Sequence, residues 1–134
     1  MKTSLRDKNI VLLRPKVNSN KSISYKNDIE KFQNIVLRPI LKFQNDLLVE
    51  LFIFEFEKTK TKFDLINNEQ KIKLIINNLK YNNKLKQILL GTIIGMFSNK
   101  NITFYKTNYS KINKRIFSML NDRLIDQLIK LDVV

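Results

Sequence analysis

The chain has no histidine and no cysteine, so any chemistry it performs must come from Asp, Glu, Lys or Tyr side chains. That absence excludes zinc centres of the Cys/His type, histidine-ligated haem, disulfides, cysteine nucleophiles and histidine-dependent triads. Among the carboxylates, Asp46 with Glu50 and Asp122 with Asp126 stand at i,i+4, a spacing that puts each pair on one helix face. Such a pair can hold a divalent cation or share a proton. Arg123 and Lys130 offset the second pair, however, and a solvated helix face is the expected reading of both. No Glu-x-x-His motif is present, which excludes the usual di-iron bundle. No catalytic residue, metal or other cofactor is expected.

The remaining motifs are physical rather than catalytic. Gly91 and Gly95 form a G-x-x-x-G and are the only glycines. Two glycines in one helix cost about 1 kcal/mol each relative to alanine, so the spacing predicts close approach of a neighbouring helix. A phosphate-binding loop would need a Gly-rich turn after a strand, and neither is present. The segment from Tyr105 to Arg115 interleaves tyrosines with basic side chains. Its Tyr105, Lys106, Tyr109 and Lys111 are the candidate nucleic-acid contacts, with rings to stack on bases and cations to meet phosphates. Lys80, Tyr81, Lys84 and Lys86 extend that surface. The competing reading is a solvated helix start in a chain rich in lysine and asparagine.

These residues must be positioned by helices. Of 134 residues, 43% are hydrophobic, which suits one domain with one core. Asp28 is expected to cap a short helix through about Val36. Pro39 cannot lie in a helix interior and fits the first turn of a new one, running from about Arg38 to Lys58. Ile40, Phe43, Leu47, Leu51 and Phe54 form the stripe of this central helix, widened by Leu41, Leu48 and Phe52. Residues 52–57 also alternate with period two, so a strand is the competing local reading. Asn67 with Gln70 predicts a capping box for a helix burying Ile72, Ile75, Ile76 and Leu79. The Tyr81-Asn82-Asn83 run breaks it, and a fourth helix follows with Leu85, Ile88, Leu89, Ile93, Met96 and Phe97 inward. A short helix over 102–107 and a last one from about Ser110 to Leu131 complete the set. The last stripe is Ile112, Ile116, Met119, Leu120, Leu124, Leu128 and Leu131. The fold class is all-α: a single-domain bundle of five to six helices over 28–134, preceded by a basic tail over 1–27 expected to be mostly disordered. A short extended piece at Ile10–Leu13 is expected to dock on the body.

Charge is uneven. The net +13 divides into +6 over 1–27, −1 over 28–65 and +8 over 66–134. Lysine outnumbers arginine 20 to 5, and Lys, Asn and Ile together make 55 residues. These three share AT-rich codons, so codon bias accounts for much of the composition, and phosphate-binding proteins favour arginine's planar fork. The charge therefore supports a nucleic-acid partner only weakly. The apolar stretch Ile10–Leu13 is too short for a secretory core. Ile88–Phe97 spans 10 positions, against about 20 for a membrane helix. No transmembrane segment and a cytoplasmic location are expected.

The segment Phe32-Gln33-Asn34-Ile35-Val36-Leu37-Arg38-Pro39-Ile40-Leu41-Lys42-Phe43-Gln44-Asn45-Asp46-Leu47-Leu48 resembles the opening of a family of short helical bacterial proteins, often labelled glyoxalase in genomes. The likeness continues through Leu85–Phe97 and Ile112-Asn113-Lys114-Arg115, covering most of 32–125. It implies a small helical protein of unknown function. True glyoxalases resemble paired βαβββ modules with His/Glu metal ligands, and this chain has no histidine. Within the motif, Arg38, Gln44, Asn45 and Asp46 sit among strong hydrophobes, and Asn and Asp are poor mid-helix residues. They are expected to meet Asn113, Lys114 or Arg115 of the last helix, either as a network that fixes packing or as a small polar pocket or contact surface.

Function is then read in three classes. The first is a non-enzymatic interaction or accessory module that binds an unknown protein partner or forms a homo-oligomer through Val49, Ile53 and Phe56. The second is a basic nucleic-acid binder, and the third an enzyme without His or Cys.

Overall fold

The computed structural model describes residues 4–15, 24–58 and 62–129. Among them every regular element is a helix, so the fold is all-α. The elements are α1 (Leu5–Leu13), α2 (Asp28–Phe32), α3 (Arg38–Phe43), α4 (Asn45–Glu57), α5 (Asn68–Tyr81), α6 (Asn83–Ile94) and α7 (Asn99–Leu128). A π turn at Gln33–Leu37 joins α2 to α3, and a short 3₁₀ turn at Phe63–Leu65 precedes α5. The competing strand at 52–57 is excluded because α4 runs through it.

Local chemistry sets the boundaries. Asn67 and Gln70 exchange the reciprocal bonds of a capping box at the start of α5, as their spacing predicts. Ser98 and Asn101 do the same for α7. The Asn82 amide oxygen takes the Leu85 N–H at 3.2 Å and opens α6. Asp28 opens α2 as expected, but its cap is Asn27, which accepts from the Glu30 N–H.

The expected separate helices over 28–36 and 38–58 form one bent path. Pro39 has no N–H for the carbonyl of Ile35 and would crowd it. The chain widens just before it, and the Arg38 N–H donates five residues back to Gln33. The path bends again at Gln44, where φ is −90° and ψ 5°. Similarly, the helices expected over 102–107 and from 110 onward join into α7 with a kink at Asn108, φ −129° and ψ 18°. There the Asn108 amide donates to the Phe104 carbonyl at 3.0 Å, the kind of side-chain competition that distorts helices. Leu131 lies outside the described residues.

The core centres on α7, whose Ile112, Ile116, Leu120 and Leu124 are at most 1% exposed, as their stripe predicts. Helices α5, α6 and α4 pack around it with Ile75, Leu85, Leu89, Ile93, Leu48 and Phe52 inward. Phe52, Phe56 and Phe63 pack as an aromatic trio with centroids 5.4–6.4 Å apart. Several expected core positions fall short of it: Ile76 is exposed, and Ile72, Ile88, Met96, Met119 and Leu128 are half-buried.

The largest correction concerns α4. Its buried side is Leu48, Phe52 and Phe56, continuing from Leu41. Of the stripe expected inward, Ile40 is buried, Leu51 is half-buried, and Phe43, Leu47 and Phe54 are 42%, 47% and 59% exposed. Helix α4 is apolar nearly all round, so two series at 3–4 spacing fit it equally. The expected contact residues change accordingly: Phe56 is core, and Val49 and Ile53 are half-buried against it.

The glycines also differ from expectation. A Cβ on Gly91 would meet nothing within 4 Å, and one on Gly95 would meet only the backbone oxygens of its own helix, at 3.1 and 3.8 Å. No neighbouring helix uses the G-x-x-x-G as a contact. What approaches instead is an arginine. Within the expected disordered tail, residues 5–13 form α1, capped by Ser4 through the Asp7 N–H. Residues 1–3 and 16–23 of that tail lie outside the described residues. Helix α1 grips the turn between α6 and α7 (Ile10–Leu13 is its last turn rather than an extended docking piece, and only Ile10 of it is buried). Arg6 donates to the carbonyls of Gly95 at 2.6 Å and Phe97 at 2.9 Å. Arg14 donates to the Met96 carbonyl at 2.6 Å and to Asn101. The Asp7 carboxylate takes the Asn99 N–H at 3.1 and 3.2 Å. Cations thus meet the C-terminal end of α6 and an anion meets the N-terminal end of α7, the signs both helix dipoles favour. Burial draws the Arg14 guanidinium below its ordinary value, with Asp7 opposing.

Candidate functional site

The π turn, α3 and the start of α4 face the C-terminal half of α7 across a polar seam. Arg115 donates to the Gln33 side-chain oxygen at 3.0 Å. Arg123 donates to the Asn45 oxygen at 2.9 Å, and the Asn45 amide donates to Asp46 and Gln127, both at 3.1 Å. Between these contacts lies a groove of about 340 Å³, lined by Gln33, Arg38, Leu41, Ser118, Met119, Asp122, Arg123 and Asp126. Arg38 is exposed on its wall, and its guanidinium makes no hydrogen bond or ion pair with any described residue.

The seven motif residues expected to form a site do not all meet. Arg38 and Arg115 flank the seam, and Asn45 and Asp46 form its far end. Gln44 points to α6 instead, donating to the Thr92 carbonyl at 3.2 Å. Asn113 accepts from the Tyr105 hydroxyl at 2.7 Å. Lys114 lies on another groove, described below. Arg38, Asn45 and Arg115 are neither buried together nor bonded to one another. Sequence reasoning missed Gln33, Arg123 and Gln127 as partners. A signal was present: Arg115, Met119, Asp122 and Asp126 recur at i, i+4, i+7 and i+11 along α7, one helical face. Arginine is also scarce here, and three of the five stand on this seam.

The nucleic-acid candidates scatter. Tyr105 is half-buried, 5.7 Å from the Phe97 ring, with its hydroxyl committed to Asn113, so its face is not free to stack on a base. Tyr109, Lys106 and Lys111 are exposed, with the kink at Asn108 standing between Lys106 and the other two.

Two further features bear on contact with other molecules. The outward side of α3 and α4 presents Phe43, Leu47, Glu50 and Phe54 at i, i+4, i+7 and i+11, all exposed. Helix α4 carries Asp46, Glu50, Glu55 and Glu57 with no Lys or Arg. Glu55 turns inward, its side chain 9% exposed, between Lys58 at 2.7 Å and Lys84 at 3.6 Å. The hydrogen bond from Lys58, with the charges of Lys58 and Lys84, holds its carboxyl below the ordinary 4.5. Glu57 receives the Phe63 N–H at 2.9 Å. Glu50 has no such partner among the described residues. On another side, between α5, α6 and α7, an open groove of about 510 Å³ is floored by Ile76, Leu79 and Phe117 and edged by Lys80, Lys86 and Lys114, with no acidic residue in its lining.

Among the described residues no group of three or more His, Cys, Asp or Glu side chains is placed to hold a metal ion. No helix among them is long and apolar enough to cross a membrane. No family model, curated protein or solved structure matches the chain.

Proposed function

We infer that this chain is a non-enzymatic interaction module, belonging with the small helical proteins its sequence resembles, and that it docks a protein partner through the outward face of α3 and α4. The observation that carries this reading is the row Phe43, Leu47 and Phe54, 42–59% exposed on one face. Single exposed apolar residues are ordinary on a protein surface, whereas a row of large ones edged by charge marks contact surfaces. Asp46 and Glu50 supply that edge. The polar seam beside it, with unpaired Arg38, adds a place where a partner's carboxylate or carbonyl is recognised. The absence of His and Cys supports a non-catalytic role, and the glyoxalase label has no residues here to act through. The setting is a cytoplasmic accessory protein acting beside a partner.

Lysine substitution at Leu47 and Phe54 tests the reading, because both side chains already face solvent and the fold tolerates the charge. The tagged wild type in cell extract is expected to elute well above its 16.0 kDa mass, and Leu47→Lys/Phe54→Lys at the monomer position. Co-elution of wild type and variant at 16.0 kDa contradicts the reading.

A further inference from the structure

We propose that the partner of the α3–α4 row is a second copy of this chain, whose lysine-edged groove between α5, α6 and α7 receives it head to tail. The proposal rests on the reading above and names its occupant. The two surfaces complement each other in chemistry. The row offers Phe43, Leu47 and Phe54 with Asp46 and Glu50 alongside, and the groove offers Ile76, Leu79 and Phe117 with Lys80, Lys86 and Lys114 alongside. Opposite charges around an apolar centre fix register and suppress wrong pairings.

At net +13 two copies repel overall, and the arrangement that repels least sets the near-neutral segment 28–65 (−1) of one copy against the +8 segment 66–134 of the other. On α4, Glu55 is taken up by Lys58 and Lys84 and Glu57 by the Phe63 N–H, and Lys58 lies 4.5 Å over the Phe54 ring, so Asp46 and Glu50 are the acids that face out; the groove lining has three lysines and no acid. An α4-to-α4 pairing would leave the lysines of the groove without an acidic partner. From Leu47 to Phe54 the row runs about 10 Å along α4, with Phe43 just before the bend at Gln44, long enough to lay about two turns across the groove. Row and groove stand on different helices, so the contact is heterologous, and each copy keeps one free surface of each kind. Such contacts grow with concentration beyond a dimer unless the rotation closes a ring.

Charge reversal with multi-angle light scattering decides it. The wild type is expected to gain mass with concentration. Glu50→Lys and the pair Lys80→Glu/Lys114→Glu are each expected to weaken association about fivefold or more, since reversal replaces an attraction by a repulsion. The combined protein, Glu50→Lys/Lys80→Glu/Lys114→Glu, is expected to recover most of the wild-type association. Far-UV circular dichroism checks that these surface variants fold. A wild type that stays monomeric at every accessible concentration overturns the proposal. So does association lost with Glu50→Lys but indifferent to the lysine reversals, which points to another occupant of the row and leaves the interaction reading standing. That reading fails separately, when lysine at Leu47 and Phe54 changes nothing in extract.

Discussion

Gly91 is a helical residue whose missing side chain serves no contact. A Cβ there meets nothing within 4 Å, so Gly91→Ala is expected to raise stability by about 0.5–1 kcal/mol. Gly95→Ala is expected to bring less or nothing, because its Cβ would press the Gly91 carbonyl oxygen at 3.1 Å. Paired urea melts check both. Glu55 gives a pH-dependent prediction. Its carboxyl lies below the ordinary 4.5 because Lys58 donates to it. It therefore stabilises the fold above that value, and the benefit is lost as pH falls through the lowered one. Glu55→Gln is expected to destabilise at pH 7 and to lose less on acidification, so the two Tm curves converge as pH falls below the ordinary 4.5. At this scale the helix caps were legible because Asn67/Gln70 and Asn82 act on backbone groups within a few residues. Arg123 as the partner of Asn45 was not, since 78 residues separate them.

Among the elements, α4 shows where periodicity stops deciding. Its eight apolar residues fit two phases, and burial selects Leu48, Phe52 and Phe56 over Leu47 and Phe54. The acids were the missed guide: Asp46, Glu50 and Glu57 recur at i, i+4 and i+11 and mark the wet side. The sharpest check is a neighbouring pair. Leu47→Lys is expected to change Tm by no more than a degree or two. Leu48→Lys, at 1% exposure, buries an unpaired ammonium and is expected to unfold a protein of ordinary stability. Helix α1 escaped the sequence reading for a different reason. It lacks a strong apolar face and is held by charges placed on the ends of α6 and α7. Asp7→Ala is expected to cost about 1–2 kcal/mol through the lost carboxylate at the Asn99 N–H, beside the Ser98 cap that remains. Native-state hydrogen exchange should show that loss as faster exchange at Asn99 and along α1.

For the whole molecule, the all-α class was readable because 3–4 spacing recurs from Asp28 to the last helix and α7 bears its stripe without ambiguity. The bend at Pro39 and the kink at Asn108 were legible as breaks, but not as places where the chain continues with a π turn or a side-chain bond. Charge matters through its placement more than its total. The +13 encloses one acidic helix face with an apolar row, and that contrast organises the proposed contact. The most direct measurement of this account is site-specific photocrosslinking in cells from a reactive residue placed at Leu47, with the same residue at exposed Thr103, away from both surfaces, as control. A discrete crosslinked species is expected from position 47 and none above background from position 103. Equal yields from the two positions, or none from 47, would contradict it.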